Sequence, residues 1–484
     1  MDDLKNKVFS GFIWKFLERF FVQFVTFVVS LVVARILAPE DYGLVAMVTV
    51  FINIAMVVVS NGFNAALIQS PNADEKDFST LFYLSFCLSI VLYFILFFFA
   101  PQIASFYNQE ELTSIVKVLG LILPISSITS IQNAYVGRMM IFKKNFVASL
   151  FSSLFSGALG IFMALKGFGV WALVFQMLSS SLLVCLIQCF TISWKPIFYF
   201  SIKRSVPLLR FGANSLGADI IGTVFNQLNS FVMGKWYSAS QLAYYNRGQS
   251  FPYLINGNVS VIVSNVMFSA FSKRSNDLFQ LKKMLKKTIT LYSYILTPLY
   301  VGMFAISENM VELLLTEKWL PALPYLKIVC IACILGTISP LDIVVLKSIG
   351  KSDVVFHLEF IKKPIWILLL LLGACFNSYV LASVLIFATL MELIVNSIFV
   401  NKYLKYSLLE KMFDWGKTLI PSVIMFVIVY FLNFLQIKLI ILVPCQIIVG
   451  VIVYVLYSVL TKNECFLYIK NLIKLKNGVR NEEK

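Results

Sequence analysis

Charge is scarce in this chain. Only 13% of its 484 residues are Asp, Glu, Lys or Arg, against 59% hydrophobic and 15% aromatic residues. With a mean hydropathy of +0.85, that composition excludes a water-soluble globule. Histidine is scarcer still. The one histidine, His357, has no cysteine near it, which leaves no basis for a His-built zinc site. No Walker loop, G-x-S-x-G or H-E-x-x-H occurs, so neither a nucleotide-driven motor nor a hydrolase is indicated. Eight cysteines are present, and the pairs Cys185/Cys189 and Cys330/Cys333 have helical spacing inside apolar runs. Neither zinc nor disulfide chemistry is expected of them, and no cofactor is expected at all. The start, MDDLKNK, is mixed in charge and precedes no small-residue cleavage site, so it does not read as a cleavable signal peptide.

What is abundant is apolar sequence in long runs. TLFYLSFCLSIVLYFILFFFA (80–100) carries no charge over about twenty residues, enough for a helix to cross the hydrocarbon core. The short alternating segments of a porin-like barrel do not occur. The expected fold is an all-α polytopic membrane protein with about fourteen spans. They fall at 11–37, 43–66, 80–102, 113–135, 145–166, 169–191, 211–234, 248–271, 288–308, 323–346, 358–377, 379–401, 416–436 and 438–460.

The formal net charge of +16 is distributed between the spans, which points to membrane topology and not to nucleic acid. Cations crowd one alternating set of loops, from Arg138/Lys143/Lys144 through Lys273/Arg274/Lys282/Lys283 to Lys402/Lys405/Lys411/Lys417 and the tail after Lys462. The other set holds APEDYG (38–43), PQIASFYNQEEL (101–112) and isolated cations. The positive-inside rule then puts both termini in the cytoplasm, with the basic tail along the anionic inner leaflet.

The first span carries a polar stripe. With Lys15 at 0° on a helical wheel, Arg19, Gln23, Thr26 and Ser30 all fall between about 20° and 80°, and Glu18 flanks them at about −60°. The seventh span repeats the pattern 200 residues later, with Ser215, Asp219, Thr223, Asn226 and Ser230 in register and Asn229 alongside. A weaker echo links QNAYVGRMMIFKKNF (132–146) with LDIVVLKSIGKSDVVF (341–356). Two six-span halves of one orientation are expected, an N-terminal lobe over 1–200 and a C-terminal lobe over 201–405. Two extra spans (406–460) and a basic tail (461–484) follow. Parallel repeats of this kind occur in alternating-access carriers with the site between the halves.

A cation at bilayer depth costs roughly 2.5–3.5 kcal/mol on insertion scales, so it should face protein or water. Lys15 and Arg19 are the candidate floor of a substrate cavity for an anionic head group, with Gln23, Asn226 and Asn229 as further ligands. Glu18 and Asp219 are candidates for binding a coupling proton or sodium ion. The competing reading is that these groups join helices to one another. Lys117, Asp342, Glu359, Lys362, Lys363 and Glu392 read as interface or packing groups, while Asn246, Arg247 and Gln249 mark an outer helix start.

VVARILAPEDYGLVAM (32–47), RFGANSLGADIIGTVFNQLNSFVMGKWYSASQLAYYNRGQ (210–249), VMFSAFSKRSND (266–277) and LLLTEKWLPALPYLKIVC (313–330) together resemble the Wzx-like polysaccharide-transporter branch of the multidrug/oligosaccharidyl-lipid/polysaccharide (MOP) flippase superfamily. The resemblance covers roughly the first 420 residues. It implies fourteen helices in two lobes arranged as a V, no catalysis, and movement of undecaprenyl-diphosphate-linked oligosaccharide from inner to outer leaflet. The pathway would be capsule, O-antigen or exopolysaccharide synthesis, with a polysaccharide polymerase and assembly proteins as partners. The resemblance also implies a cationic cavity, which Lys15 and Arg19 match; Asp219 departs from an all-basic one. An ion-coupled drug/cation antiporter of the same superfamily would favour acidic and aromatic cavity residues instead. A membrane polymerase would need a large external loop, and the external loops here are short.

Overall fold

The structure, a computed structural model, describes residues 2–70, 73–435 and 437–471. The last part of the expected basic tail, 472–484, lies outside the described residues, as does the side chain of Ser215. The chain divides into two compact units, Met1–Ala243 and Tyr244–Lys484. The first contains α1 (Asp2–Ile36), α2 (Pro39–Gln69), α3 (Glu75–Tyr107), α4 (Leu112–Leu119), α5 (Ile122–Met139), α6 (Phe142–Leu165), α7 (Val170–Thr191) and α8 (Ile202–Trp236). α9 (Ala239–Ser272) begins there and continues into the second unit. That unit adds α10 (Leu278–Ala305), α11 (Ser307–Leu315), α12 (Leu323–Leu335), α13 (Pro340–Ser348), α14 (Ser352–Ala374), α15 (Ser378–Leu404), α16 (Leu408–Phe431) and α17 (Leu439–Leu460). No strand occurs among the described residues.

The helix starts follow from local sequence. Asp74 accepts the Lys76 and Asp77 amides while Asp77 reaches back to the Asp74 amide, a reciprocal cap that opens α3. Ser407 and Glu410 make the same exchange at α16, and Asp277 and Asn377 cap α10 and α15.

Among the described residues, twelve helical segments are long and apolar enough to cross a bilayer, and the chain is a multi-pass membrane protein. Fourteen spans were expected. The two missing from the twelve are nonetheless helical. α8 includes Lys203, Arg204, Arg210, Asp219 and Lys235, and α14 packs Asp353, Glu359, Lys362 and Lys363 into 23 residues. Polar and charged residues set these two helices apart from the twelve without unwinding them.

The 200-residue repeat reappears in the elements: α1 and α8 are each 35 residues long, starting at Asp2 and Ile202, and α2 and α9 start at Pro39 and Ala239. A second correspondence is that the fourth and tenth spans are both interrupted. α4 ends at the C-cap Gly120 before α5, and α12 ends at the C-cap Gly336 before α13. Each glycine opens the same pattern, Gly120-x-Ile122-x-Pro124 and Gly336-x-Ile338-x-Pro340. A Cβ at Gly120 would come within 2.9 Å of the Val116 carbonyl oxygen, and one at Gly336 within 3.1 Å of the Ala332 oxygen. Small residues also join α6 to its neighbours: Gly157 sits under Val29 of α1, and Ser152 donates to the Ser180 carbonyl of α7 at 2.6 Å.

Candidate functional site

α1 is fixed by aromatic contacts. Trp14 and Phe21 both pack on Phe146 of α6, and the Lys143 ammonium lies 5.4 Å from the Trp14 ring centroid. This leaves two exposed faces of opposite character. Phe16, Phe20 and Phe24 are 57–59% exposed and lie at about 100–180° from Lys15 on the wheel, an exposed apolar strip. Lys15 and Arg19, at 0° and about 40°, are exposed beside that strip, with Gln23 half-buried between the two and Thr26 exposed.

Lys15 Nζ stands 3.0 Å from Glu18 Oε2, with 58% of the lysine side chain exposed against 17% of the glutamate's. Ser149 of α6 donates to the other Glu18 oxygen at 3.4 Å. The carboxylate is therefore held at the α1–α6 seam, and the lysine arches over Phe142, 5.8 Å from its ring centroid. Ser30, expected in the stripe, turns its hydroxyl back to the Phe27 carbonyl at 2.8 Å.

The repeat partners lie on α8. Asp219 is half-buried and has no ion-pair partner among the described residues. Asn226 is exposed, and Asn229 is half-buried with its Oδ1 enclosed and unpartnered.

The other polar groups within spans form networks inside the second unit. Lys362, 7% exposed, meets Glu359 at 2.5 Å and Glu392 at 3.9 Å, joining α14 to α15. Asp342 of α13 receives Lys411 Nζ at 2.7 Å on both oxygens, and both side chains are 0% exposed. Lys411 also donates to Ser397 at 3.2 Å. Sequence reading took Lys411 for an ordinary loop cation; it is instead fully desolvated. Arg247 lies over the Trp319 ring in this unit, and Lys117 over Phe97 in the first.

One surface was not foreseen. α10, α16 and α17 enclose a groove of about 520 Å³, lined by Pro298, Gly302, Met425, Gly450 and Tyr454 among others. Its lining is almost wholly apolar except at Gln446, which donates to Asn433 at 2.7 Å; Asn309 donates to the same oxygen at 2.7 Å. Phe466, just beyond α17, also lines it. The signal available in sequence was a pair of glycines in apolar helices, Gly302 and Gly450, which the structure sets against the same Met425 side chain of α16, but relating them requires knowing which helices touch.

A family described as polysaccharide biosynthesis protein matches residues 32–324, more than half of the chain. The chain belongs to this family. Among curated members of similar sequence is the succinoglycan biosynthesis transport protein ExoT of Rhizobium meliloti, 24% identical over 72% of this chain and 71% of its own. The teichuronic acid biosynthesis protein TuaB of Bacillus subtilis is 24% identical over 74% of each chain. The lipopolysaccharide biosynthesis protein WzxC of Escherichia coli is 23% identical over 76% of each. In three dimensions this polysaccharide biosynthesis protein shares its fold with the lipid II flippase MurJ in an inward closed conformation, with a TM-score of 0.72, 18% identity, and 96% of this chain and 100% of that one covered. An inward-facing multidrug resistance MATE transporter of the MOP superfamily gives 0.58 at 14% identity, covering 80% and 96%.

Proposed function

We propose that this protein moves an undecaprenyl-diphosphate-linked oligosaccharide from the inner to the outer leaflet of the bacterial cytoplasmic membrane, for capsule, O-antigen or exopolysaccharide assembly. The observation that carries the reading is the exposed Lys15 and Arg19 in a polar stripe of α1 beside its phenylalanine strip. Cations at that depth are retained where they meet water or an anion, and a diphosphate is the anion that suits a guanidinium beside an ammonium. The names of the relatives, all drawn from surface-polysaccharide biosynthesis, support the same substrate class.

The apolar groove supplies the complementary surface. Lined by α10, α16 and α17, it suits a stretch of polyprenyl chain, whose burial in a fitted apolar channel gains dispersion contacts. Gln23, Asn226 and Asn229 are the proposed ligands for sugar hydroxyls. Glu18 and Asp219 are the proposed carriers of a coupling proton or sodium ion, and Asp219, without an ion-pair partner among the described residues, is the better placed. No bond is made or broken in this activity, so the protein acts as a transporter. The bias of cations toward alternate loops supports cytoplasmic placement of both termini, and a polymerase and assembly proteins are the proposed partners.

The test uses a cell lacking its own flippase and supplied with matched lipid-linked substrate. The wild-type chain should restore export, and the double variant Lys15→Ala/Arg19→Ala, at equal membrane abundance, should reduce it tenfold or more. Equal export by both would make the cations a helix-joining device. Export by neither would favour the antiporter.

A further inference from the structure

Three carboxamides meet inside the first unit. Asn133 of α5 accepts at its Oδ1 from Asn145 Nδ2 of α6 at 2.8 Å and from Gln188 Nε2 of α7 at 3.0 Å. Gln188 Nε2 also donates to Asn145 Oδ1 at 3.1 Å. Asn145 is 6% and Gln188 1% exposed. Asn133 differs: it is exposed, and its Nδ2 makes no hydrogen bond among the described residues. With its oxygen held by two buried donors, the orientation of the whole amide group is set, and its NH₂ is presented outward.

Helix adhesion does not account for this arrangement. A cluster that serves only to join helices satisfies its own polar atoms. Here the exposed amide keeps two unused donors, while Gln188 Oε1 and the neighbouring Gln132 Oε1 are buried without partners.

The surroundings show which medium the donor faces. Lipid-facing helices of the same unit are paved with aromatics: Phe94 and Phe98 on α3, Phe155 and Phe162 on α6, are 49–68% exposed. α5 has no such strip. Between Ile122 and Arg138 its one exposed residue is Asn133. That residue lies six positions before the helix end at Met139, on the order of 9 Å along the axis. An unpaired amide donor among acyl chains costs several kcal/mol, so this one faces water or a ligand. The α6 residue that steadies it, Asn145, falls between Phe142, under the Lys15 ammonium, and Ser149, bonded to Glu18. The donor and the cationic stripe are thus both anchored on neighbouring residues of α6.

We infer that Asn133, clamped by Asn145 and Gln188, is a fixed hydrogen-bond donor that engages an oxygen acceptor on the polar part of the transported lipid, in a phosphate or in a sugar. The inference rests on the transport reading above and adds a contact which that reading does not require. Because the clamp orders the amide before the ligand arrives, little conformational freedom is lost on binding.

Asn133→Asp tests it. The carboxylate keeps an acceptor for both buried donors and replaces the outward NH₂ by an oxygen. In the flippase-deficient cell, at equal abundance and unchanged melting temperature of the purified protein, export should fall tenfold or more. Wild-type export by Asn133→Asp would overturn the inference. Should that variant fail to fold, Asn133→Cys in a chain whose other exposed thiols are replaced decides the matter. Labelling by a membrane-impermeant thiol reagent, slowed at least severalfold by ligand, supports the contact; no labelling, or no slowing, overturns it. Protection by undecaprenyl diphosphate alone assigns the acceptor to phosphate, and protection only by the complete glycolipid assigns it to the sugar. Failure of the wild-type chain to restore export would instead count against the transport reading.

Discussion

Lys411 and Asp342 show what a single side chain can do once water is removed. Two charges fully out of solvent, 2.7 Å apart, are bound more by the absence of alternatives than by net gain, since desolvation offsets much of the attraction. Removing one partner leaves the other buried and unpaired, so Lys411→Met alone should destabilise the protein by about 3–5 kcal/mol. Lys411→Met with Asp342→Leu should recover most of that loss, as read from melting curves of the detergent-solubilised protein. At this scale legibility followed sequence distance. Lys15 and Glu18 are three residues apart on one helix, and their proximity was readable from spacing. Asp342 and Lys411 are 69 residues apart, and Asn133, Asn145 and Gln188 sit on three helices. Each had a visible residue type and no visible partner.

Helices were legible from the apolar runs, including the two whose composition is mixed. The twelve clear spans lie near the positions that long apolar runs indicated, because such runs have no other stable arrangement in a bilayer. α8 and α14 were expected as the spans 211–234 and 358–377 and are helical there too, although polar and charged residues set them apart from the twelve. The interruptions at Gly120 and Gly336 were also in view, as Gly-x-Ile-x-Pro in both halves, but a glycine within an apolar run looks the same whether or not the helix continues. Packing between elements depends on such small residues. A Cβ at Gly157 would approach Val29 Cγ2 to 2.5 Å, so Gly157→Leu should push α1 from α6 at a cost of about 1–3 kcal/mol. Val29→Ala in the same chain should relieve part of it, a coupling measurable by a double-mutant cycle.

For the whole molecule, family membership and fold were foreshadowed by landmarks such as LAPEDYG (37–43), whereas the groove on α10, α16 and α17 was not, since it exists only when helices distant in sequence are side by side. Gly302 lines that groove, and the nearest atom to a Cβ there, Met425 Cε, is at an ordinary 3.5 Å. Gly302→Phe should therefore fill the groove without disturbing the fold, lowering export severalfold while leaving the melting temperature within a few degrees. The Asp342–Lys411 pair has a different reach. It ties α13 to α16, so the last two helices are an integral part of the second unit and not a detachable appendage. A hybrid protein joined anywhere between residues 342 and 411 would inherit one half of the pair from each parent. Recombination within that interval should succeed only between parents that both carry a matched aspartate and lysine, or that both lack them.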